Sequence, residues 1–313
     1  MNTKLTALLN IKYPVIQGAM AWVSDGELAA AVSEAGGAGV IASGGREARW
    51  VQEQIRLARS CTAKPFGVNV QLMAGNKDEI VEVICAEKVS FVTLGAGNPI
   101  PLFDKFTQAE IKKIPVVPNA RLAKRVQDSG ADAIVVEGME AGGHIGVLTT
   151  MALMTQVIPL MKIPVIAAGG IADGRGLAAA LVMGAGGVQV GTRFMLAAEC
   201  SVHQRVKERL IAAVDTDTVV TGLTTGHAVR GLRNGFTDHF LRLEQQGTPA
   251  AELDKLATGT SRLAAIEGNV EEGMVLAGQS LLALTKVETA EVIMAEIVTE
   301  AKRILRQAPE LFA

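Results

Sequence analysis

A (β/α)8 barrel is the fold this sequence predicts, on three observations. Pro14, Pro65, Pro115 and Pro164 each stand at the mouth of a short apolar run, and they lie 51, 50 and 49 residues apart. Between those runs lies a second set, Val40-Ile41, Phe91-Val92, Ile134-Val135-Val136 and Val188-Gln189-Val190. Aromatic residues make up only 4% of the chain, and the abundant aliphatic ones suit parallel strands buried on both faces. Strand, crossover helix and parallel strand repeated with one hand can close on itself. An open doubly wound sheet would take the same alternation, but even spacing through four double units favours closure.

The elements follow in order. Leu5, Leu8 and Leu9 predict a short helix plugging the barrel floor. Proline is tolerated at a strand's first residue because its missing N–H need not join the ladder, so Val15, Phe66, Val116 and Val165 mark the odd-numbered strands. Three of the even-numbered strands follow helix stops rich in glycine, at Gly36-Gly37-Ala38-Gly39, Gly130-Ala131 and Gly184-Ala185-Gly186-Gly187. Helical patterns fill the gaps: Glu27 to Glu34, Arg49 to Arg59, Asp78 to Glu87, Leu102 to Lys112, Arg121 to Asp128, Met151 to Leu160 and Gly176 to Met183. Ser24-x-x-Glu27 reads as a capping box for the first. Beyond Met195 the pattern changes. Thr218 to Thr221 is strand-like, Glu252 to Ile266 and Gly278 to Leu284 look helical, and Thr285-x-x-Glu288 caps a last amphipathic helix through Arg306. The chain is therefore expected to be α/β, a barrel over residues 1–198 with a C-terminal helical lid subdomain and returning helices over residues 199–313.

Composition narrows the function classes. A net charge of −2 gives no field for nucleic acid or an anionic membrane surface. No apolar run reaches the roughly 18 residues of a membrane span. Met1 to Ile11 lacks the succession of a signal peptide, which predicts a cytoplasmic protein. Cys61, Cys85 and Cys200 are odd in number and far apart, which suits reduced core thiols. Cys200 and His203 are too few ligands for zinc, so no metal centre is expected.

In such barrels chemistry collects at the carboxyl ends of the strands, with a phosphate site in the loops after the seventh and eighth. Those loops read Ala167-Ala168-Gly169-Gly170-Ile171-Ala172-Asp173 and Gly191-Thr192-Arg193-Phe194. Gly169 and Gly170 can present N–H groups to an anion at a helix N-terminus, and Gly191 and Thr192 can add an N–H and a hydroxyl. Tight turning is the plain alternative for either loop alone. The first strand ends in Gln17-Gly18-Ala19-Met20-Ala21-Trp22, where Met20 either lies against a planar ring or packs under the lid. Asn69 puts an amide amid apolar residues, for a heterocycle or for a neighbouring strand end. The sixth strand empties into Glu137-Gly-Met-Glu140-Ala-Gly-Gly143-His144-Ile-Gly146, where glycine admits a ligand and His144 offers a proton near neutral pH. A flexible turn with a solvated histidine is the alternative there. Arg193 either assists the anion or pairs with a carboxylate such as Asp173. His227 meets a ligand or makes a structural hydrogen bond, while His203 and His239 read as solvated and Glu140 as shaping the turn.

Gln-Gly-x-Met-Ala-Trp, Gly-Val-Asn, Gly-Ala-Gly-Asn-Pro, the Glu137 to Gly146 stretch, Ala-Ala-Gly-Gly-Ile-Ala-Asp-Gly, Gln-Val-Gly-Thr-Arg-Phe and Gly-His-Ala-Val-Arg together resemble the FMN-dependent enoyl-acyl-carrier-protein reductase II enzymes (FabK type). Nitronate monooxygenases share most of these barrel motifs. The resemblance implies a TIM barrel with FMN held by Gly18, Ala19, Met20, Asn69, Glu137, Gly143, Ala168, Gly169, Gly170, Gly191 and Thr192. It implies NADH or NADPH as cosubstrate, an acyl-carrier-protein thioester as substrate, His144 as the catalytic donor to the thioester carbonyl, and hydride transfer to the β-carbon of a trans-2-enoyl thioester. A homodimer and a monovalent cation on main-chain oxygens of the tail are further implications. The alternative within the resemblance is a nitronate monooxygenase using oxygen. Purine-nucleotide dehydrogenases carry similar Gly-Gly loops but want a cysteine after the sixth strand, where this chain has His144.

Overall fold

A computed structural model describes residues 1–312. Eight parallel strands run in the order β1 (Val15–Gln17), β9 (Gly187–Val190), β8 (Val165–Ala168), β6 (Ile134–Glu137), β5 (Lys112–Val117), β4 (Phe91–Gly95), β3 (Gly67–Gln71) and β2 (Val40–Ala42). β7 (Gly143–His144) lies outside the barrel. Between β1 and β2 the ladder thins to a single Ile16–Ala38 bridge. Gln17 completes that seam: its backbone N–H donates to Ala38 O at 2.9 Å, and its fully buried side chain accepts from Val40 N at 3.0 Å.

The barrel is filled by one cluster of aliphatic side chains with Phe91 among them, and Leu5 and Leu9 of α1 (Lys4–Leu9) belong to it. A Cβ on Gly67 would fall 2.5 Å from the Phe91 ring, so a glycine opposite the largest interior residue is a packing requirement. A second, larger core separates the strands from α2 (Gly26–Glu34), α3 (Ala48–Cys61), α4 (Lys77–Glu87), α5 (Phe103–Gln108), α6 (Ala120–Asp128), α7 (Thr150–Val157) and α8 (Gly174–Val182).

Several element boundaries differ from the sequence reading. Asp25 caps α2, its carboxylate accepting from Leu28 N at 3.0 Å, while the Ser24 hydroxyl turns inward to Met20 N and the Gln17 amide. α5 stops at Gln108, because Lys112 already belongs to β5, which carries Pro115 inside it. After α9 (Gln204–Ile211), the tail is not helical throughout. β10 (Thr218–Thr221) and β11 (Val229–Leu232) form an antiparallel pair, and β11 also pairs with β7. Next come α10 (Gly235–Gln245), α11 (Ala250–Ala257) and α12 (Thr260–Glu267), the last two separated at Gly259, whose φ of 81° breaks the helix expected from 252 to 266. Residues 278–284 hold only one 3-10 turn, Leu281–Ala283. The last helix, α13 (Ala290–Gln307), is capped by Thr289, not Thr285.

α13 packs on α8 and α2, returning the chain to the barrel. The close approach depends on Gly174, where a Cβ would lie 2.5 Å from Ala301 N. No helix among the described residues is long and apolar enough to cross a membrane. Cys61 is exposed and Cys200 buried, so only the latter is a core thiol.

Candidate active site

At the carboxyl ends of the barrel strands lies a cavity of about 540 Å³, walled on one side by the barrel and on the other by the tail. All twelve residues singled out from the sequence line it. Gly18, Ala19 and Met20 come from the end of β1, Asn69 from β3, and Glu137, Gly143 and His144 from β6 and the loop beyond. Ala168, Gly169 and Gly170 follow β8, and Gly191 and Thr192 follow β9. The tail adds Val206, Ala264, Ala265 and Met274, among others, which no motif had marked. Val206, Ala264 and Ala265 lie on helices and Met274 between elements, and none carries a motif.

The first glycine loop differs from the arrangement expected of it, while the second offers the N–H and hydroxyl expected. Gly169 and Gly170 both take left-handed backbone, with φ of 95° and 71°. α8 begins four residues later, and its N-terminus is already occupied: Asp173 accepts from Arg175 N and Gly176 N, and Glu300 accepts from Gly174 N at 2.9 Å. The open donors are instead the loop amides, since the N–H groups of Gly170, Gly191 and Thr192 have no protein acceptor among the described residues. The Thr192 hydroxyl accepts from Gly278 N at 3.0 Å and keeps its own proton free to donate. Beside Gly95 and Gly143 there is open space, and a Cβ on Gly191 would meet only Met20 Sδ, at 3.9 Å.

Arg193 joins neither the anion loop nor Asp173. It is buried and donates to Glu288 at 2.8 Å and Glu296 at 3.2 Å, tying the loop after β9 to the start of α13. Asn69 ties its strand to β4, donating to Thr93 Oγ1 at 3.0 Å, while the residue lines the cavity and its side-chain oxygen has no protein donor among the described residues. Glu137 receives no hydrogen bond, and burial alone pushes its carboxyl up to about 7.

The loop from Glu137 to His144 is held from three directions. Glu140 accepts from Thr150 N at 3.0 Å, capping α7, so it has a definite task that the sequence reading left to turn-shaping. Arg230, buried in β11, donates from Nε to Met139 O at 2.8 Å and from Nη1 to Thr218 Oγ1 at 3.0 Å. Gly143 and His144 pair with Arg230 and Val229. The Gly-His-Ala-Val-Arg segment is therefore a clamp on the loop that carries His144. His144 is exposed at the cavity mouth, its backbone paired with β11 and its side chain lining the cavity. Burial, then the neighbouring His227, lower its pKa, so the imidazole is neutral at neutral pH. His227 itself is exposed, 3.4 Å from Asp254.

The nitronate monooxygenase family model matches residues 2–84 and 71–300. The FabK of Thermotoga maritima superposes with a TM-score of 0.97 at 42% identity, over 99% of each chain. A nitroalkane oxidase from Streptomyces ansochromogenes superposes with a TM-score of 0.85 at 28% identity, over 98% of this chain and 99% of that one. Among curated relatives, a hydroxy-methyl-oxo-octahydroindene carboxyl-CoA dehydrogenase from Rhodococcus jostii is 35% identical over 94% of this chain and 82% of its own. A probable nitronate monooxygenase from Staphylococcus aureus is 30% identical over 97% and 99%.

Proposed function

The chain belongs to the nitronate monooxygenase family, and from that premise we propose that it is the FMN-dependent enoyl-acyl-carrier-protein reductase of the FabK type within it. The observation that carries the reading is the pairing, across one cavity, of unpaired loop amides with a neutral imidazole on a clamped loop. The likeness to FabK over the whole length supports the same choice. The residues fit the cofactor: Gly170, Gly191 and Thr192 offer donors for a phosphate, and the open space beside Gly95, Gly143 and Gly191 admits a flat ring against Met20. Glu137 and Asn69 would meet the polar edge of that ring. When bound, FMN supplies the two-electron chemistry, accepting hydride from NADH or NADPH and delivering it to the β-carbon of the enoyl thioester.

The protein's own part is binding and polarisation. His144 donates an N–H to the thioester oxygen, where negative charge grows as the β-carbon is reduced. A neutral imidazole does this without surrendering its proton. Arg230, Glu140 and the β7–β11 pairing fix the ring's position, and the tail's Val206, Ala264 and Ala265 keep water from the acyl side. A soluble carrier-protein thioester is the substrate, and a homodimer the working assembly, in this reading.

The second reading is a nitronate monooxygenase, favoured by the Staphylococcus relative's 30% identity across its whole length. Steady-state assay with crotonyl thioester and NADH or NADPH, against propyl-2-nitronate and oxygen, separates the two. The reductase reading expects butyryl thioester as product, and His144→Ala to keep its yellow cofactor while losing about 10²–10³-fold in turnover. Unchanged turnover in that variant removes His144 from the mechanism.

A further inference from the structure

Arg46 sits between the indoles of Trp22 and Trp50, its guanidinium 4.4 and 4.2 Å from their centroids. The guanidinium is thus stacked on two rings, which leaves its edge to bond. That edge is poorly used: Nε is buried without a partner, and one Nη reaches Trp22 O at 3.4 Å. No carboxylate forms an ion pair with Arg46 among the described residues. Asp25, the facing acid, spends Oδ1 on Leu28 N and Oδ2 on the Ser201 hydroxyl. Across the mouth, Arg262 of α12 brings a second guanidinium to 5.9 Å from the same Trp22 ring. It pairs with Glu267 on its own helix. Barrel and tail therefore converge two cations on one indole at the lip of the cavity, which Trp22, Gly45 and Ser261 line. Trp22 holds this position at a left-handed φ of 69°, its ring lying over Gly45, where a Cβ would fall 2.4 Å away.

We infer that Arg46 and Arg262, arrayed on Trp22, form a subsite for a phosphate ester carried by the nucleotide cosubstrate or by the thioester's carrier group. The inference rests on the reductase reading, in which both ligands reach this mouth. A stacked guanidinium with a free edge is suited to a phosphate's oxygens, and a second cation opposite completes the clamp.

Trp22 and Trp50 are the chain's two tryptophans, so intrinsic tryptophan fluorescence reports on this place alone. The FMN-loaded protein is titrated with adenosine 2′,5′-bisphosphate, which carries the ester of NADPH, and with 4′-phosphopantetheine, which carries that of the carrier group, with adenosine and pantetheine as controls. A saturable change is expected with one phosphate ester and none with adenosine or pantetheine. Its dissociation constant should rise about tenfold or more in Arg46→Gln or Arg262→Gln, with partial recovery in Arg46→Lys. The phosphate ester that saturates names the source. Arg262 is exposed, so its variant keeps the test open if Arg46→Gln does not fold. No saturable change with either ligand, or undiminished affinity in both glutamine variants, overturns the subsite. Cofactor reduction by NADPH and turnover of crotonyl thioester, measured on the unsubstituted protein, test the reductase reading separately: their failure would leave the titration result standing.

Discussion

Glu137 ends β6 with a carboxyl that nothing in the protein hydrogen-bonds, and its folded-state pKa stands at about 7 against an ordinary 4.5. The unfolded chain gives up this proton first, so the protein with its cavity empty loses stability from this group as pH rises from about 4.5 to about 7. Glu137→Gln removes the liability. Its Tm should rise relative to the parent by a few degrees as pH is taken from about 5 to about 8, after discounting for the cavity's open side. Parallel curves would show that the carboxyl is solvated. At this scale the sequence was legible where chemistry and position coincided. Gly169, Gly191 and His144 follow counted strands, and counting alone places them on one cavity. Partners across the fold were not legible. Arg193 could have met Asp173 on spacing alone, but Glu288 lies 95 residues away and reaches it only because α13 returns to the barrel. Arg46 carried no motif, because its meaning comes from two indoles that bracket it and a helix more than 200 residues on.

Elements were read correctly where apolar runs were long, and their ends were misread where two polar residues competed for one cap. Ser24 and Asp25 both offer an oxygen to α2, but Ser24 is drawn into the β1–β2 seam by Gln17 and Met20, leaving the cap to Asp25. Thr285 and Thr289 compete likewise, and Glu288 settles the matter because its side chain is held by Arg193 and Lys286 and cannot close a box with Thr285. Thr289 accepts from Val292 N at 3.3 Å. Thr289→Ala should therefore cost about 1 kcal/mol, read as a drop of about 2–4 °C in Tm, while Thr285→Ala shifts it by less than about 1 °C. Equal effects would place the helix start where the sequence pattern put it. The three-stranded sheet of β7, β10 and β11 escaped the sequence because β7 has only two residues, too short for any period to register.

At the scale of the whole molecule, the barrel was legible because a repeat of about 50 residues survives in the spacing of its prolines, whatever the individual boundaries. The tail was legible only in pieces, Thr218–Thr221 as a strand and the last helix, since it has no repeat and packs by contacts that only the closed barrel creates. The joint between them is testable through Arg193, whose side chain is buried against Glu288 and Glu296. Arg193→Met leaves Glu288 with Lys286 as its remaining cation and Glu296 half exposed, and should cost about 2 kcal/mol, seen as a lower urea midpoint. An unchanged midpoint would mean that the two parts hold together without this pair.

The most direct test of the central claim is an anaerobic two-step mixing experiment on the purified yellow protein. NADH or NADPH is added first, and then, with oxygen excluded, crotonyl thioester. The reductase account predicts that the flavin colour is lost with the nucleotide and returns with the thioester as butyryl thioester forms. Colour that stays lost with the thioester, in a protein that propyl-2-nitronate bleaches rapidly, would contradict it.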